Sequence, residues 1–447
     1  MLLRRLVPVS AVCENSAIHR AYCFPGGPFG ETILTLYVFN LQGMIDMKRK
    51  LIALAVASLA SGAALAQTNV TMYGVVDAGY VYSSGSAGSV PPIYSATGVL
   101  LNPATAGLKI PGTNKFSGLA SGINSGNRFG VKGEEALGNG LKAVFTLEYG
   151  LNIDNNSGLG NTGGLNARQQ FVGLASNYGT VALGRQYAPG FDATANNDAL
   201  ESTDMSIQSS FSAYAGDTIT PNSGARFNNA VTYTSNNYSG VTVKAIYGFG
   251  ESNLGGTYND KINSIADNGK VGFGVNYANG PINLDAVYQS RLNAVVADPF
   301  NAALKAPGSG KSINEWYLGG SYDFKVVKLY ASYQALDNNN KLVYNGIEDN
   351  QLWTLGVTAP IGAGTLGLSY GKLQIDRRNV SDGDSWGWGT MYSYPLSKRT
   401  AVYAAYTYIN NDSHSLPLNT QSAGDIGQIG AVGESNYTLG AGIRHSF

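Results

Sequence analysis

The sequence predicts an all-β fold: an antiparallel barrel of sixteen strands that closes on itself and crosses a bilayer. Three observations carry that prediction. Apolar residues recur with period two over runs of about ten residues, and no 3.6-residue period persists beyond residue 67. These runs pair through very short turns, and long polar segments separate the pairs. The positions between the apolar ones carry Gly, Asn, Lys, Arg and Glu, strand after strand. That face is too polar for the core of a secreted sandwich or solenoid adhesin, the competing all-β readings. Lipid offers no partner to a backbone N–H or C=O, so a sheet that spans it must close, with apolar residues outward and polar ones inward.

In chain order, the first strand covers about Val70–Tyr82. Seven hairpins follow, with joints at Leu137–Gly140, Ser176–Gly179, Asn236–Gly240, Ala278–Pro281, Asp323–Val326, Ala359–Gly364 and Tyr394–Arg399. They supply fourteen strands. "GLKAVFTLEYGL" is the clearest, with Leu141, Ala143, Phe145, Leu147 and Tyr149 on one face and Lys142, Thr146 and Glu148 on the other. Eight polar segments alternate with the hairpins, at about 83–125, 153–166, 187–225, 251–269, 292–312, 336–349, 375–384 and 411–433, and they are read as the long extracellular loops opposite short periplasmic turns. Trp316, Tyr317, Trp353, Trp386 and Trp388 suit the interfacial girdles. The last strand covers about Glu434–Phe447 and alternates to its final aromatic residue, as expected if it pairs with the first and leaves no edge.

One long apolar run stands outside this pattern. "MKRKLIALAVASLASGAALAQ" has a basic start, an apolar stretch and the A-x-A site Ala64-Leu65-Ala66, which predicts a secretory signal over 47–66 cleaved between Ala66 and Gln67. Residues 1–46 are then a mis-called upstream extension, and 67–447 the barrel. Both cysteines, Cys13 and Cys23, lie upstream, so no thiol chemistry is expected of the mature chain. Residues 1–66 hold six of the 29 basic and three of the 29 acidic residues, which leaves a net charge of −3 and no basic patch suited to nucleic acid.

Catalysis finds little support. The mature chain has two histidines, His414 and His445, and its two G-x-S-x-G matches, 367–371 and 383–387, fall in alternating strand runs rather than at the strand-to-helix turn of a nucleophile elbow. "APGSGKS" (306–312) has Lys305 where a phosphate loop needs glycine, and "DNNSGLGNTGG" (154–164) lacks the closing glutamate of a calcium loop. The chain is read as a non-enzyme with no cofactor and no metal site.

"VTMYGVVDAG", "NRFGVKGEEALGNGLKAVFTLEYG", "RQQFVGLASNYGTVALGRQY", "LSKRTAVYAAYTYI" and the terminal phenylalanine, in that order, resemble the Gram-negative general porins, the trimeric sixteen-stranded type of β-proteobacteria. The resemblance covers the mature chain. It implies a homotrimer in the outer membrane, in contact with lipid and lipopolysaccharide, forming a water-filled channel for passive diffusion of ions and small hydrophilic solutes. It also implies that Phe447 is read by the barrel-assembly machinery, and that the third long segment folds into the lumen as a constriction loop. A solute-specific porin and an outer-membrane adhesin or receptor barrel are the alternatives.

Charge placement supplies the candidate site. Between Arg185 and Arg226 there is no Lys or Arg, whereas Asp192, Asp198, Glu201, Asp204 and Asp217 all occur. Parity puts Arg128 on the inward face with Lys132 and Glu134, Arg168 opposite Phe171, and Arg226 opposite Phe227, Val231 and Tyr233. Asp77 of the first strand joins Lys132 and Glu134 as a lumen-lining candidate. The three arginines match the constriction arginines of the resembled family. Arg185 has two placements: strict alternation sends it to lipid with Val181 and Leu183, and a bulge at Gly184 turns it inward. All four arginines also suit a rim position against lipid headgroups. Ion preference is left open between anions and cations.

Overall fold

The computed structural model describes residues 69–90, 101–155, 166–215, 217–221, 224–250, 268–294, 297–298, 301–305, 311–339, 347–377, 382–413 and 433–447. The upstream extension, the signal segment and the Ala66–Gln67 cleavage site lie outside these residues. Six strands come first: β1 (Asn69–Ser86), β2 (Thr113–Ser121), β3 (Arg128–Gly138), β4 (Leu141–Gly150), β5 (Ala167–Ser176) and β6 (Gly179–Tyr187). Two helices follow, α1 (Pro189–Asn196) and α2 (Ile207–Ala215). Next come β7 (Arg226–Thr234), β8 (Val241–Gly248), β9 (Lys270–Asn279), β10 (Ile282–Ala294) and a small separate hairpin of β11 (Ala297–Asp298) and β12 (Asn301–Lys305). The chain ends with β13 (Lys311–Asp323), β14 (Lys328–Asn338), β15 (Ile347–Ile361), β16 (Gly364–Arg377), β17 (Gly383–Pro395), β18 (Thr400–Asn411) and β19 (Ser435–Ser446).

Among the described residues, seventeen strands form one antiparallel sheet, and β1 pairs with β19 to close it. The barrel nevertheless has sixteen staves, because β2 and β3 are two halves of one. β2 pairs with Ala78–Ser86 of β1, and β3 with Asn69–Val75. Thr113–Ser121 was expected to be loop, since Asn, Ser and Gly fill it. It is strand because β1 runs four residues past Tyr82 and needs a hydrogen-bonding neighbour there. All seven short joints fall where the sequence puts them; Gly138-Asn139-Gly140, all at positive φ, turns β3 into β4. At the seam, Gly74 and Phe447 exchange backbone hydrogen bonds of 3.2 and 3.1 Å, and the Phe447 ring occupies the place of a Cβ on Gly74.

The two faces of the sheet are inverted relative to a soluble protein. Leu119, Leu318, Leu355 and Ile443 are exposed, whereas Gln289, Glu315, Asn350 and Thr407 are at most 1% exposed. The exposed face carries aromatic ladders across neighbouring strands, Trp353–Tyr370–Trp386–Tyr408 and Trp388–Tyr406–Tyr437–Tyr82. Such a belt suits a membrane interface. Tyr317 does not belong to it: next to the exposed Trp316 it takes the opposite face and packs with Ala193, Ile219 and Val287.

Apart from Ala294, Ile313 and Leu336, which cluster among themselves, the buried clusters form between the polar face of the strands and the 188–225 connection. Ile207, Phe211 and Ala215 pack on Leu352, Leu373, Ile375 and Ile409. Leu200 and Met205 pack on Val81, Ala120, Ile123, Met391 and Tyr403. Glycines make the close approach possible: a Cβ at Gly371 would stand 2.8 Å from Ile207 Cγ2, and one at Gly389 would stand 2.9 Å from Leu200 Cδ1.

Candidate functional site

Hydrogen bonds fasten the 188–225 connection along its length. Gly190 N donates to Gln289 Oε1 (2.8 Å), Asn197 Nδ2 to Asp285 Oδ2 (2.8 Å), and Ser332 Oγ to Gln208 Oε1 (2.8 Å). Thr407 Oγ1 donates to the Met205 carbonyl (3.0 Å), and Thr218 N and Oγ1 donate to Glu315 at 2.7 and 2.8 Å. The partners lie on β10, β13, β14 and β18. The polar face of β3–β5 makes none of these contacts, and there the arginines gather.

Glu148 of β4 is their centre. Its Oε1 accepts from Arg168 Nε (2.7 Å) and Tyr187 OH (2.8 Å), and its Oε2 from Tyr73 OH (3.0 Å). Arg168 Nη2 also donates to Tyr187 OH at 3.1 Å. Arg128 lies close enough to feel the charges of both Arg168 and Glu148, and its Nη2 donates to Ser125 Oγ at 3.1 Å. Arg226 sits 5.7 Å from the Tyr187 ring and 5.4 Å from the Phe191 ring, which stack at 3.7 Å. Arg168 thus binds the Glu148 carboxylate, Arg128 feels its charge, and Arg226 lies against the ring of Tyr187, which itself donates to that carboxylate. Lys270, over the Phe227 ring at 5.1 Å, and Arg291, 3.3 Å from Glu315, continue the basic series onto β9 and β10.

Two of these placements do not follow from parity. The exposed residues of β5 are Val172 and Leu174, which share the parity of Arg168. Arg168 reaches Glu148 because the β4–β5 ladder shifts register at Tyr149, pairing Glu148 with Gln169 and Tyr149 with Ala167, so Arg168 is the extra residue of a bulge. In β7, Phe227 was expected outward but is 1% exposed, packed with Ala188, Ala230 and Ile246. A register shift in the β6–β7 ladder, where Gly184 pairs with Ala230 and Gln186 with Phe227, separates the parity of Phe227 from that of Tyr233. The same shift is the bulge foreseen at Gly184, whose φ is +131°. It leaves Arg185 half-buried, with Nε on the Ala167 carbonyl (2.8 Å) and Nη1 on the Arg226 carbonyl and Asn228 Oδ1. Arg185 braces β5 and β7 rather than joining Glu148.

The acidic candidates divide sharply. Asp198 is 5% exposed, and its carboxylate accepts from Leu200 N (2.9 Å), Ser202 N (3.0 Å) and Ser206 Oγ. Burial pushes its pKa above the usual carboxylate range, although those three donors pull the other way. It is an internal tie of the connection, not an acid turned toward solvent. Asp192 is exposed and paired with Lys244 Nζ at 2.5 Å; Glu201 is exposed, and Asp204 half-buried. Asp217 is buried on Gln334 and Asn350, and burial with Glu315 nearby pushes its pKa up to about 8. Lys132 lies over the Tyr73 ring at 5.2 Å, and Glu134 pairs with Lys142 at 3.0 Å on exposed surface. Asp77 requires correction. It has no exposed surface, because Tyr403 OH and the backbone N–H groups of Asn124 and Ser125 enclose its carboxylate, so it cannot line an open lumen.

Glu148, Tyr73, Tyr187, Lys270 and Arg291 are the participants that the sequence reading missed. Glu148 was legible as an inward glutamate; nothing in its spacing tied it to Arg168, twenty residues away.

Comparison with known proteins agrees with this geometry. A family model described as Gram-negative porin matches residues 53–414. Outer membrane porin protein 32 of Delftia acidovorans is 30% identical over 405 residues, covering 90% of this chain and 100% of that one. An outer membrane porin protein of Bordetella pertussis is also 30% identical, with the same coverage. Among solved structures, an anion-selective porin from Comamonas acidovorans superposes with a TM-score of 0.64 at 27% identity, covering 85% of this chain and 100% of its own. With its apolar outer face and closed sixteen-stave sheet, the chain belongs to the Gram-negative porin family: an outer-membrane β-barrel channel for passive diffusion, not an enzyme.

Proposed function

We propose that the channel prefers anions, and that the selective zone lies between the Glu148 arginines and the 188–225 connection folded within the lumen. The main support is the set of Arg168 on the Glu148 carboxylate, Arg128 within reach of both charges, and Arg226 over the ring of Tyr187, which donates to the same carboxylate. The facing connection opposes them with less charge than its five acids suggest, because Asp198 and Asp217 are buried in its attachments and Asp192 is paired with Lys244, which leaves Glu201 exposed and Asp204 half-buried. A surplus of fixed positive charge at a narrow point lowers the energy of a passing anion and raises that of a cation. The anion selectivity of the similar Comamonas acidovorans porin points the same way.

The rest of the molecule is assigned with that reading. The short turns face the periplasm and the long segments the exterior, the mature chain begins at Gln67, and three copies assemble in contact with lipid and lipopolysaccharide. Phe447, half exposed at the seam, is the residue presented to the barrel-assembly machinery. Reversal potentials across a KCl gradient, measured on refolded protein in planar bilayers, test the ion preference. The wild type should favour chloride, and Arg128→Gln, Arg168→Gln and Arg226→Gln should each lower the chloride-to-potassium ratio. A cation-selective wild type, or three variants with its potential, overturns the assignment.

A further inference from the structure

The second stave is broken at Gly122–Asn127 while its partner β1 runs on without interruption. A break in a membrane-spanning wall leaves backbone donors that need partners from the protein itself. Asp77, opposite the break on β1, supplies them. Its Oδ2 accepts from Asn124 N at 2.9 Å and Ser125 N at 2.6 Å, and its Oδ1 accepts from Tyr403 OH at 2.5 Å. Its backbone N–H donates to Asn127 Oδ1 at 2.5 Å, and its carbonyl accepts from Gly122 N at 2.8 Å. Every polar group of Asp77 is thus committed to the six residues of the break and to β18.

Those six residues touch both sides of the proposed selective zone. The Ile123 carbonyl accepts from Asp204 N at 3.1 Å, and its side chain packs with Leu200 and Met205, so the turn between the two helices of the connection is fastened here. Ser125 Oγ takes Arg128 Nη2 at 3.1 Å. Gly126 leaves room for Arg168: a Cβ there would stand 3.3 Å from Nη1.

We propose that Asp77 is a positioning residue for permeation. Through the break in the second stave it fixes both the 188–225 connection and the Arg128 guanidinium, and so sets ion preference from a place that no ion reaches. The inference rests on the anion-conducting reading above, and the experiment separates the two. Chloride-to-potassium ratios are measured for wild type, Asp77→Ala, Arg128→Gln and the double variant, with strand content by circular dichroism as the check on folding. One unit charge at about 10 Å is worth about 0.4 kcal/mol in water, about twofold for the anion and twofold the other way for the cation, so without screening Arg128→Gln should lower the ratio about fourfold.

Asp77→Ala should lower the ratio at least as far and make the open current flicker, although no charge in contact with ions has been removed. In the double variant the two effects should fall short of their product, as expected of residues acting through one another. A lowered ratio in Arg128→Gln with an unchanged one in Asp77→Ala, or effects that multiply in full, overturns the positioning role and leaves the anion reading standing. An unchanged Arg128→Gln overturns the positioning role, since the guanidinium it would fix then sets no preference; a cation-selective wild type overturns the anion reading and the inference with it. Should Asp77→Ala not refold, Ser125→Ala decides: it keeps Asp77 and the seam and removes only the oxygen that holds Arg128. A ratio lowered in the same direction supports the role, and an unchanged one overturns it.

Discussion

Glu148 and Asp198 are both carboxylates with almost no exposed surface, yet they do opposite things to the channel. Glu148 is held by Arg168 and two tyrosine hydroxyls, with Arg128 near it and Arg226 over the ring of one of those tyrosines, so its neighbourhood keeps a net positive charge. Asp198 is held by two backbone N–H groups and a serine of its own segment, so its charge is spent on the shape of the connection. A segment rich in acids therefore need not be an acidic wall. The partner of each carboxylate decides, and partners of neutral type turn a charge into a structural tie.

The largest effect should come from removing such a tie. Asp198→Ala leaves three donors without their acceptor, at about 1–3 kcal/mol each, so the connection should loosen, with limited proteolysis cutting within 188–225 and the open current becoming noisy. Asp198→Asn should leave the reversal potential at its wild-type value; a clear cation-to-anion shift there would show that Asp198 does face the ions and would erase the contrast with Glu148.

Next in size is the pH response of the far attachment. A carboxyl whose pKa rises on folding holds its proton more tightly when packed, so its contribution is complete below its ordinary value of 3.8 and drains as pH climbs to about 8. The Asp217 anchor should thus be firmer at pH 5 than at pH 8, read as less channel noise, and Asp217→Asn should flatten that dependence. A noise level independent of pH in the wild type would count against a protonated anchor.

Smaller still is the effect of crowding the seat of the connection. Gly389→Val places carbon against Leu200 and the Met205 carbonyl and should cost about 1–3 kcal/mol, seen as a lower unfolding midpoint with the ion ratio little changed. Smallest is Arg168→Gln, which should lower the chloride-to-potassium ratio about twofold in 0.1 M salt and less in 1 M, where the screening length falls from about 10 Å to about 3 Å. Equal shifts at both salt concentrations would mean that the effect is not electrostatic.

Local chemistry made much of the architecture legible. Period-two runs, the seven short joints and the terminal strand follow from the alternation that a lipid-facing wall imposes and from turn residues such as Gly138-Asn139-Gly140. The inversion of polar and apolar faces followed as well, because it is written in every second residue. Thr113–Ser121 did not: its composition is that of a loop, and only the reach of β1 makes it a strand.

The site was legible as a list of charges but not as an arrangement. By itself the sequence determined that arginines on β3, β5 and β7 and acids on the third long segment would be available. Tertiary structure decided which of them meet. Arg168 joins Glu148 only through a bulge in the β4–β5 ladder, Arg185 beside another ties β5 to β7, and Asp77 left the lumen because a broken stave needed its oxygens. One inserted residue reverses every side chain beyond it, and a buried carboxylate goes wherever backbone donors lack partners. Neither the position of a bulge nor an unpaired N–H across the barrel is set by near neighbours in the chain.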